Sequence, residues 1–390
     1  MAGRPGGRPR PARPPFWRDV RVLRWAFQLA VLGAVLVVVG VLVDNVRVNS
    51  RELGIPFAYS YLDNPAQFPI PDSSFRQTQP VLDAIVLGLV NTLRVSLVGI
   101  VAATVLGTLV GIGRLAGNWL VRNAARVYVE TFRNVPLLLI IVFSYLSLAL
   151  TVFPRLEQAW EPLGLAVVSN RGVVLPWYDG GAWGMLVGFT AALAAAWAIA
   201  RWRRTVTERT GAPARLVPWI AVAVALVATA TWLLGGYQLT VPEIDGRVVS
   251  GGIRMSPEYF AILFALVIYT ASHIAEIVRG SIQAVDRGQR EAAQALALSG
   301  AQRLRLVILP QAFRIAVPPL GNQYLNLAKN STLGAVVSYY ELAQVTSISV
   351  GNGAPAVPAY VLTLAIFLVL SLVLSALVNI VNRRLALVER

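Results

Sequence analysis

The chain is organised around the segment from Glu276 to Pro319, whose sequence is EIVRGSIQAVDRGQREAAQALALSGAQRLRLVILPQAFRIAVPP. This segment is polar and rich in arginine, although it lies between two long apolar segments. Strong helix formers surround Glu291, Ser299-Gly300 supplies a stop signal, and Pro310 is expected to end the next helical run. The segment therefore predicts a short helix, a turn and a second short helix at a membrane surface.

The residues Glu291-Ala292-Ala293, followed by Gly300 and by Leu309-Pro310, resemble the EAA loop of ATP-binding-cassette (ABC) import permeases, especially their polar amino-acid branch. The resemblance implies that this loop docks into a groove on a separate ATPase subunit. It assigns the ATPase-coupling role to these residues: Glu291, Ala292, Ala293, Ala297, Gly300, Leu309 and Pro310. The alternative interpretation is a basic loop that only follows the charge rules of membrane topology.

One position departs from the family pattern. The family usually has glycine six residues after the glutamate, where this chain has Ala297. We therefore expect the first helix to run a little further and the flexible residue to be Gly300.

The composition is typical of a polytopic membrane protein. The 390 residues are 56% hydrophobic and 14% charged, with a mean hydropathy of +0.63, whereas a soluble domain carries about 25% charged residues. The formal charge of +15 does not point to nucleic acid, because the arginines flank apolar segments. The sequence has no cysteine, which excludes disulfides and thiolate metal sites, and its lone His273 is expected to be a polar residue near a helix end. We expect neither a metal nor another cofactor.

Eight apolar segments are each near the length of about 20 residues that a bilayer-spanning helix requires. They cover Ala26–Val43, Val81–Ile112, Val127–Leu150, Gly184–Ala200, Val217–Leu234, Tyr259–Ile277, Ile315–Val337 and Ala359–Val381. The expected fold class is an all-α, polytopic membrane helix bundle. The expected regions are a disordered basic cytoplasmic tail (1–25), a first transmembrane helix with an external loop (26–80), and a permease transmembrane domain (81–390) containing an inserted helical hairpin at about 184–234 and the EAA loop at about 276–314.

Arginine counts predict the orientation of the chain. With the N-terminus inside, the cytoplasmic segments hold 24 arginines and the external segments hold 7, so the positive-inside rule selects this orientation. Eight crossings would return the C-terminus to the cytoplasm. We therefore expect a multi-pass protein of the bacterial inner (plasma) membrane, with both termini and the EAA loop on the cytoplasmic side.

Three further motifs resemble the same amino-acid permeases: Asn91-Thr92-Leu93, the segment 130–137 (ETFRNVPL) and the segment 329–333 (KNSTL). On this resemblance, spans two, three, six, seven and eight form the five-helix core of a type I ABC importer. The chain is most similar to the general L-amino-acid permease subunits. The implied partners are an ABC ATPase subunit, a second homologous permease subunit, a periplasmic solute-binding protein, the lipid bilayer and an amino-acid substrate; nucleic acid is not among them.

Polar residues inside two spans are candidates for the substrate pathway. Arg94 lies in the second span and Lys329 in the seventh. A charge in hydrocarbon costs at least ~2.5–3.5 kcal/mol, so it usually faces a cavity or a partner. An amino-acid carboxylate is one such partner, with hydrogen bonds from Asn91, Thr92 and Asn330. The alternative, slightly favoured, is snorkelling or packing at the interface.

These observations predict the transmembrane subunit of an ATP-driven amino-acid importer. A P-loop needs Lys followed by Ser or Thr, but Lys329, the only lysine, is followed by Asn330. ATP hydrolysis is therefore expected in a separate polypeptide, and the chain is not expected to be an enzyme. The main rival is an ion-coupled secondary amino-acid transporter, which is disfavoured because acidic residues such as Asp83 and Glu258 lie near span ends. A membrane-embedded enzyme and a non-transporting scaffold for an ATPase are weaker alternatives.

Overall fold

The computed structural model describes residues 20–52, 54, 58–179, 182–210, 219, 221–227, 229, 238–246 and 248–385. Long helices dominate the described residues. We number the α-helices in chain order: α1 (Val20–Glu52), α2 (Val81–Gly113), α3 (Trp119–Asn134), α4 (Leu137–Phe143), α5 (Ala182–Thr210), α6 (Pro257–Gln283), α7 (Arg287–Ala295), α8 (Gly300–Arg303), α9 (Leu309–Asn330), α10 (Leu342–Gly351) and α11 (Ala356–Leu385). One π-helical segment, Ser144–Val152, continues α4, and another, Leu304–Ile308, joins α8 to α9.

This architecture confirms the expected helical membrane bundle. The helices α1, α2, α6 and α11 are long and apolar enough to cross a bilayer, and a fifth span is obtained if α3 and the helix from Leu137 to Val152 form one bent span. The total of eight spans stays a prediction. The fourth predicted span lies within α5, which has 29 residues, and the fifth, Val217–Leu234, lies partly outside the described residues.

The prediction of the third span, Val127–Leu150, as one helix is wrong. α3 ends at Asn134, Val135 is extended with φ −93° and ψ 130°, and α4 starts directly after Pro136. Proline lacks an amide hydrogen and pushes the preceding residue out of the helical region, so the helix breaks here. The chain is therefore bent by 102° between α3 and the helix from Leu137 to Val152.

The first helix is longer than its apolar run. α1 covers Val20–Glu52 instead of Ala26–Val43, so residues 20–25, which were predicted to be disordered, are helical. The polar flanks contain no proline or glycine within the helix, so nothing stops the hydrogen-bond ladder where hydrophobicity ends. The rest of the predicted tail, residues 1–19, lies outside the described residues.

The seventh predicted span, Ile315–Val337, is divided in the structure. α9 already begins at Leu309 and ends at Asn330, and Ser331–Val337 forms a 3₁₀-helix. Ser338 then adopts a left-handed conformation with φ 58°, which reverses the chain. The ten residues Leu342–Gly351 then form α10, a helix that was not predicted because its apolar run is too short to span a bilayer.

The core of the bundle is the contact between α2 and α6. Gly107 and Gly111 of α2 face α6, and a Cβ atom at Gly107 would lie only 2.7 Å from the Cβ atom of Ile274. Small residues let two helix backbones approach closely, and the gain in van der Waals contact drives helix association in a bilayer. The buried core cluster includes Val95, Ala103, Ile141, Ile262, Leu266, Ile274 and Leu327.

Short antiparallel strands occur in the segments predicted as external loops, where no strand was predicted. They are β1 (Val167–Ser169), β2 (Gly172–Leu175), β3 (Trp177–Asp179), β4 (Gln238–Thr240), β5 (Glu243–Asp245), β6 (Val248–Ser250) and β7 (Ile253–Met255). The sheet orders are β1-β2-β7, β3-β4 and β5-β6. Because β3 pairs with β4, the chain enters and leaves the region of the predicted inserted hairpin at neighbouring points.

Candidate coupling loop and substrate site

The first helix of the predicted loop is α7, and it ends in a Schellman motif. The carboxylate of its N-cap residue, Asp286, accepts a hydrogen bond from the Gly288 amide at 2.6 Å. At the other end the Leu298 amide donates to Ala293 and the Ala297 amide donates to Gln294, at 3.2 and 2.9 Å. This pair of bonds defines the Schellman C-cap.

The expectation that α7 runs further and turns at Gly300 is wrong. α7 ends at Ala295, and Ala297 itself adopts the left-handed conformation, with φ 54°. Gly300 is instead the first residue of α8, after a capping box in which Ser299 and Gln302 bond reciprocally to each other's backbone amides. The turn therefore uses the position where the family usually has glycine, although this chain has alanine there.

Pro310 does not end the second helical run. The π-helical segment Leu304–Ile308 carries the chain from α8 into α9, and Pro310 lies in the first turn of α9. A π-helical turn displaces the normal hydrogen-bond ladder, so a residue without an amide hydrogen can be accommodated next to it. The second helix of the loop is therefore continuous with the long helix α9.

The exposed surface of α7 and of the turn is partly apolar. Glu291 and Ala292 are exposed, whereas Ala293 is only 3% exposed because it faces inward. Leu296 at the turn is 75% exposed and Leu306 is 62% exposed. Sequence reasoning missed both leucines, because Leu296 lies at the turn and Leu306 in the π-helical segment Leu304–Ile308, and neither the position of the turn nor the π-helix was predicted.

An ion cluster fixes the base of the loop to the bundle. Glu276 on α6 forms salt bridges with Arg114, which follows α2, and with Arg279 on its own helix. Arg133 of α3 lies 3.9 Å from the same carboxylate. Because one carboxylate joins residues of three segments, the helix that enters the loop is held at a defined position.

Two of the predicted substrate residues connect α2 to the start of α10. The Asn91 side-chain amide donates to the Tyr340 carbonyl at 2.8 Å. The buried Thr92 hydroxyl donates to Gly88 and accepts from the Leu342 amide at 3.1 Å. The Thr92 hydroxyl is thus engaged both as donor and as acceptor, whereas Asn91 uses one amide hydrogen.

Arg94 lies one turn further along α2 and contacts an aromatic pair. Its guanidinium carbon is 4.6 Å from the ring centroid of Tyr259, a distance typical of a cation–π contact. The Tyr259 ring lies 5.6 Å from that of Tyr339. Within the described part of the chain, Arg94 is half-buried and forms no salt bridge with a carboxylate.

The antiparallel packing of α9 on α2 brings the remaining two candidates toward the depth of Arg94. The Thr104 hydroxyl bonds to Tyr324, and a Cβ atom at Gly99 would lie 3.3 Å from Leu327. Continuing this register by one turn leads to Lys329 and Asn330 on α9, and to the region of Arg94 on α2. Lys329 is exposed and Asn330 is half-buried.

A buried carboxylate near this region was missed by the sequence analysis. Glu341 is completely buried, and its two oxygens accept hydrogen bonds from the Ala343 and Gln344 amides at 2.8 and 2.7 Å. The side chain therefore caps α10. The pattern of Glu before an apolar ten-residue run is the only sequence signal that could have indicated this role.

Comparisons with known proteins identify the family. Residues 184–387 match the family described as the binding-protein-dependent transport system inner membrane component. The chain is 38% identical to the putative amino-acid ABC transporter permease protein YhdX of Escherichia coli, over 95% of each chain. It is also 38% identical to the general L-amino acid transport system permease protein AapQ of Rhizobium johnstonii, over 89% of this chain and 88% of that one.

The glutamate/glutamine/aspartate/asparagine transport system permease protein BztB of Rhodobacter capsulatus is 36% identical, over 95% of this chain and 96% of that one. A crystal structure of an amino acid ABC transporter with histidines aligns with a TM-score of 0.47 at 20% identity, over 78% of this chain and 94% of that one. The agreement with full-length permeases across nearly the whole chain confirms the resemblance seen in the EAA loop, and the chain belongs to the binding-protein-dependent transport system inner membrane components, as a permease subunit of the amino-acid ABC transporters.

Proposed function

We propose that this chain translocates amino acids across the bacterial inner membrane, and that a separate ATPase subunit drives it by docking on the loop formed by α7 and α8. The single observation that carries the proposal is the surface of this loop. Glu291, Ala292 and Leu296 are exposed there, although Leu296 is a large apolar residue. Exposed apolar residues next to small ones are typical of a helix that fits into a groove of a partner.

The remaining coupling residues connect the docking helix α7 to the helix bundle. Ala293 is buried, Ala297 forms the turn, and Gly300 starts α8. Leu309 and Pro310 begin α9, so a movement of the docked loop is transmitted directly to a long helix of the bundle. Such coupling requires a rigid element connected to a helix bundle with two arrangements.

The docking proposal is tested by Glu291→Ala and Leu296→Asp. We expect both variants to insert normally. At least tenfold less ATPase should co-purify with each of them, because truncating a side chain or introducing a charge at the centre of an interface costs about 2 kcal/mol or more. The matched control is Glu130→Ala, which removes an exposed glutamate of α3 whose salt bridge among the described residues is with Arg126, four residues earlier. ATPase recovery equal to that of the unmodified chain in both variants would refute the docking role.

We further propose that Arg94 binds the carboxylate of the transported amino acid, with Lys329 and Asn330 contributing from α9. The support is the half-buried guanidinium, which contacts the aromatic face of Tyr259 and has no salt bridge among the described residues. A guanidinium in this setting gains most from a planar carboxylate. Asn91 and Thr92 then act mainly by positioning α10 against α2.

Substitution of Arg94 separates substrate binding from assembly. We expect Arg94→Gln to lower amino-acid uptake at low substrate concentration at least tenfold, while ATPase recovery is unchanged, because loss of a charge-assisted contact costs about 1.5–3 kcal/mol. Arg76→Gln, an exposed change in the predicted external loop, is the control. Unchanged uptake kinetics in Arg94→Gln would leave Arg94 with a packing role only.

The ion-coupled rival predicts a different energy source. The buried carboxylate of Glu341 does not favour that rival, because both of its oxygens already accept backbone hydrogen bonds. Uptake should stop in vesicles that keep a membrane potential but contain no ATP. Persistent uptake under that condition would replace the ATP-driven mechanism with an ion-coupled one.

A further inference from the structure

A large apolar cavity lies beside the coupling loop. It has a volume of about 720 Å³, is lined by residues of α2, α6, α9 and α11, and is open on one side. Most of the lining side chains are apolar: Ile112, Val278, Ile282, Leu320, Leu377 and Val381. Two of the few polar groups, the hydroxyls of Thr104 and Tyr324, bond to each other at 3.0 Å. An interior of this kind binds hydrocarbon and offers little to a zwitterionic amino acid.

The cavity follows one end of the bundle, where α2, α6 and α11 finish and α9 begins. On α9 the lining extends from Leu309 to Tyr324, a rise of about 22 Å along a helix. One leaflet contributes about 15 Å to the hydrocarbon core, so the cavity is long enough for an acyl chain that lies along the helices. α11 packs chiefly on α9 and α10. The cavity is the space that remains between α11 and α2.

Arginine side chains lie at the loop end of this cavity. Arg290 of α7 donates to the carbonyl of Ile282, a lining residue, at 2.5 Å. Its Nε atom is buried and has no hydrogen-bond partner in the described ranges. Arg314 is exposed on α9 and directly follows the lining residue Phe313. The Arg290 guanidinium therefore lies beside the loop end of the cavity, and Arg314 occupies the position on α9 next to a lining residue.

We propose that this cavity binds one acyl chain of an anionic phospholipid from the inner leaflet, and that Arg290 and Arg314 bind its phosphate. The apolar lining matches the acyl chain, and a guanidinium group matches a phosphate in charge and in hydrogen-bond geometry. Because Arg290, Leu309 and Pro310 belong to the coupling loop, the bound lipid supports the loop from the membrane side.

The first experiment compares headgroups. The full chain, with its co-expressed subunits, is equilibrated with palmitoyl-oleoyl phosphatidylglycerol or phosphatidylcholine, and retained lipid is counted by native mass spectrometry. We expect phosphatidylglycerol to be retained preferentially. Its retention should fall about 25-fold in the double variant Arg290→Gln/Arg314→Gln, because each basic residue contributes about fivefold near a surface. Arg126→Gln on α3, which contributes no residue to the cavity, is the control. Equal retention of both lipids, or no effect of the double variant, would overturn the proposal.

The second experiment fills the cavity. Ala316→Phe on α9 and Leu377→Trp on α11 each add side-chain volume at a lining position, and we expect both to reduce lipid retention about tenfold. Using residues on two different helices keeps the test valid if one variant fails to fold, as judged by gel filtration. Val101→Phe, on an exposed part of α2 outside the cavity, is the control. Retention of phosphatidylglycerol at the original level in the folded variants would show that the acyl chain lies elsewhere.

Discussion

At the scale of single residues, Ala297 shows how this chain differs from the usual family pattern. A left-handed backbone conformation costs an L-residue with a Cβ atom about 1–2 kcal/mol, a cost that glycine avoids. Ala297 nevertheless adopts φ 54°, because the Schellman bonds of α7 and the capping box of α8 fix the residues on either side. The strain is thus imposed by two helix caps that meet across a short turn.

Glycine at this position should stabilise the turn. We expect Ala297→Gly to slow amide hydrogen exchange in the peptide 287–299 about fivefold, because relief of the left-handed strain is worth about 1 kcal/mol. The matched control, Ala292→Gly, changes a helical position of α7 and should speed exchange, since glycine costs about 1 kcal/mol inside a helix. If both substitutions speed exchange, Ala297 is not strained.

Thr92 is a second residue whose role follows from its partners. Its hydroxyl bonds to the buried Leu342 amide, so we expect Thr92→Val to lower the free energy of unfolding by about 1–3 kcal/mol, since the amide would lose its partner. Thr92→Ser keeps the hydroxyl and should cost less. Thermal unfolding of the detergent-solubilised protein measures both. An equal loss in the two variants would assign the effect to packing of the methyl group.

At the scale of helices, the contact of α2 with α6 depends on glycine at the points of closest approach. A Cβ atom at Gly107 would lie within 2.8 Å of three atoms of α6, including the Ala271 carbonyl oxygen. A backbone carbonyl in a helix cannot move aside without breaking its own hydrogen bond. Close packing here is therefore a property of the pair of helices, and no pattern within either sequence alone displays it.

Alanine at Gly107 should separate the two helices. We expect Gly107→Ala to lower the free energy of unfolding by about 1–3 kcal/mol because of overpacking. Gly280→Ala is the control, because its added Cβ would meet nothing within 4 Å and helix propensity then favours alanine. Thermal unfolding in detergent compares the two, and a Gly107→Ala protein as stable as Gly280→Ala would contradict the close approach.

At the scale of the whole molecule, the arginine distribution predicts which face of the bundle is cytoplasmic. The chain contains no cysteine, so single cysteines can report the orientation without background. Asp63 belongs to the predicted external loop, whereas Ser299 lies in the coupling loop, and both residues are exposed. The two positions therefore lie on opposite sides of the bilayer if the positive-inside rule holds.

Labelling with a membrane-impermeant maleimide tests this orientation. In spheroplasts we expect Asp63→Cys to react at once, and Ser299→Cys to react only after the membrane is opened. Detergent-solubilised protein, in which both positions react, is the control for accessibility. The reverse pattern would place the coupling loop outside the cell and would remove its access to cytoplasmic ATP.

The sequence by itself determined the membrane class, the short helix and turn around Glu291, and the family, because hydrophobic run length and a local motif are readable along the chain. It did not determine the bend at Pro136, the left-handed Ala297 or the continuation of helix through Pro310, although each lies in a segment that was predicted to matter. Those outcomes depend on the neighbouring structure. Helix caps hold Ala297 in a conformation that alanine disfavours, and a π-helical turn accommodates Pro310, which would otherwise interrupt a helix.

Tertiary structure alone decided which polar residues are already occupied. Asn91, Thr92 and Glu341 look available in the sequence, but each is bonded to backbone around α10. Arg94, in contrast, lies against the ring of Tyr259 and forms no salt bridge with a carboxylate among the described residues. A hydrogen bond between residues about 250 positions apart arises only when helices pack, because its partner is selected by three-dimensional proximity and not by spacing along the chain.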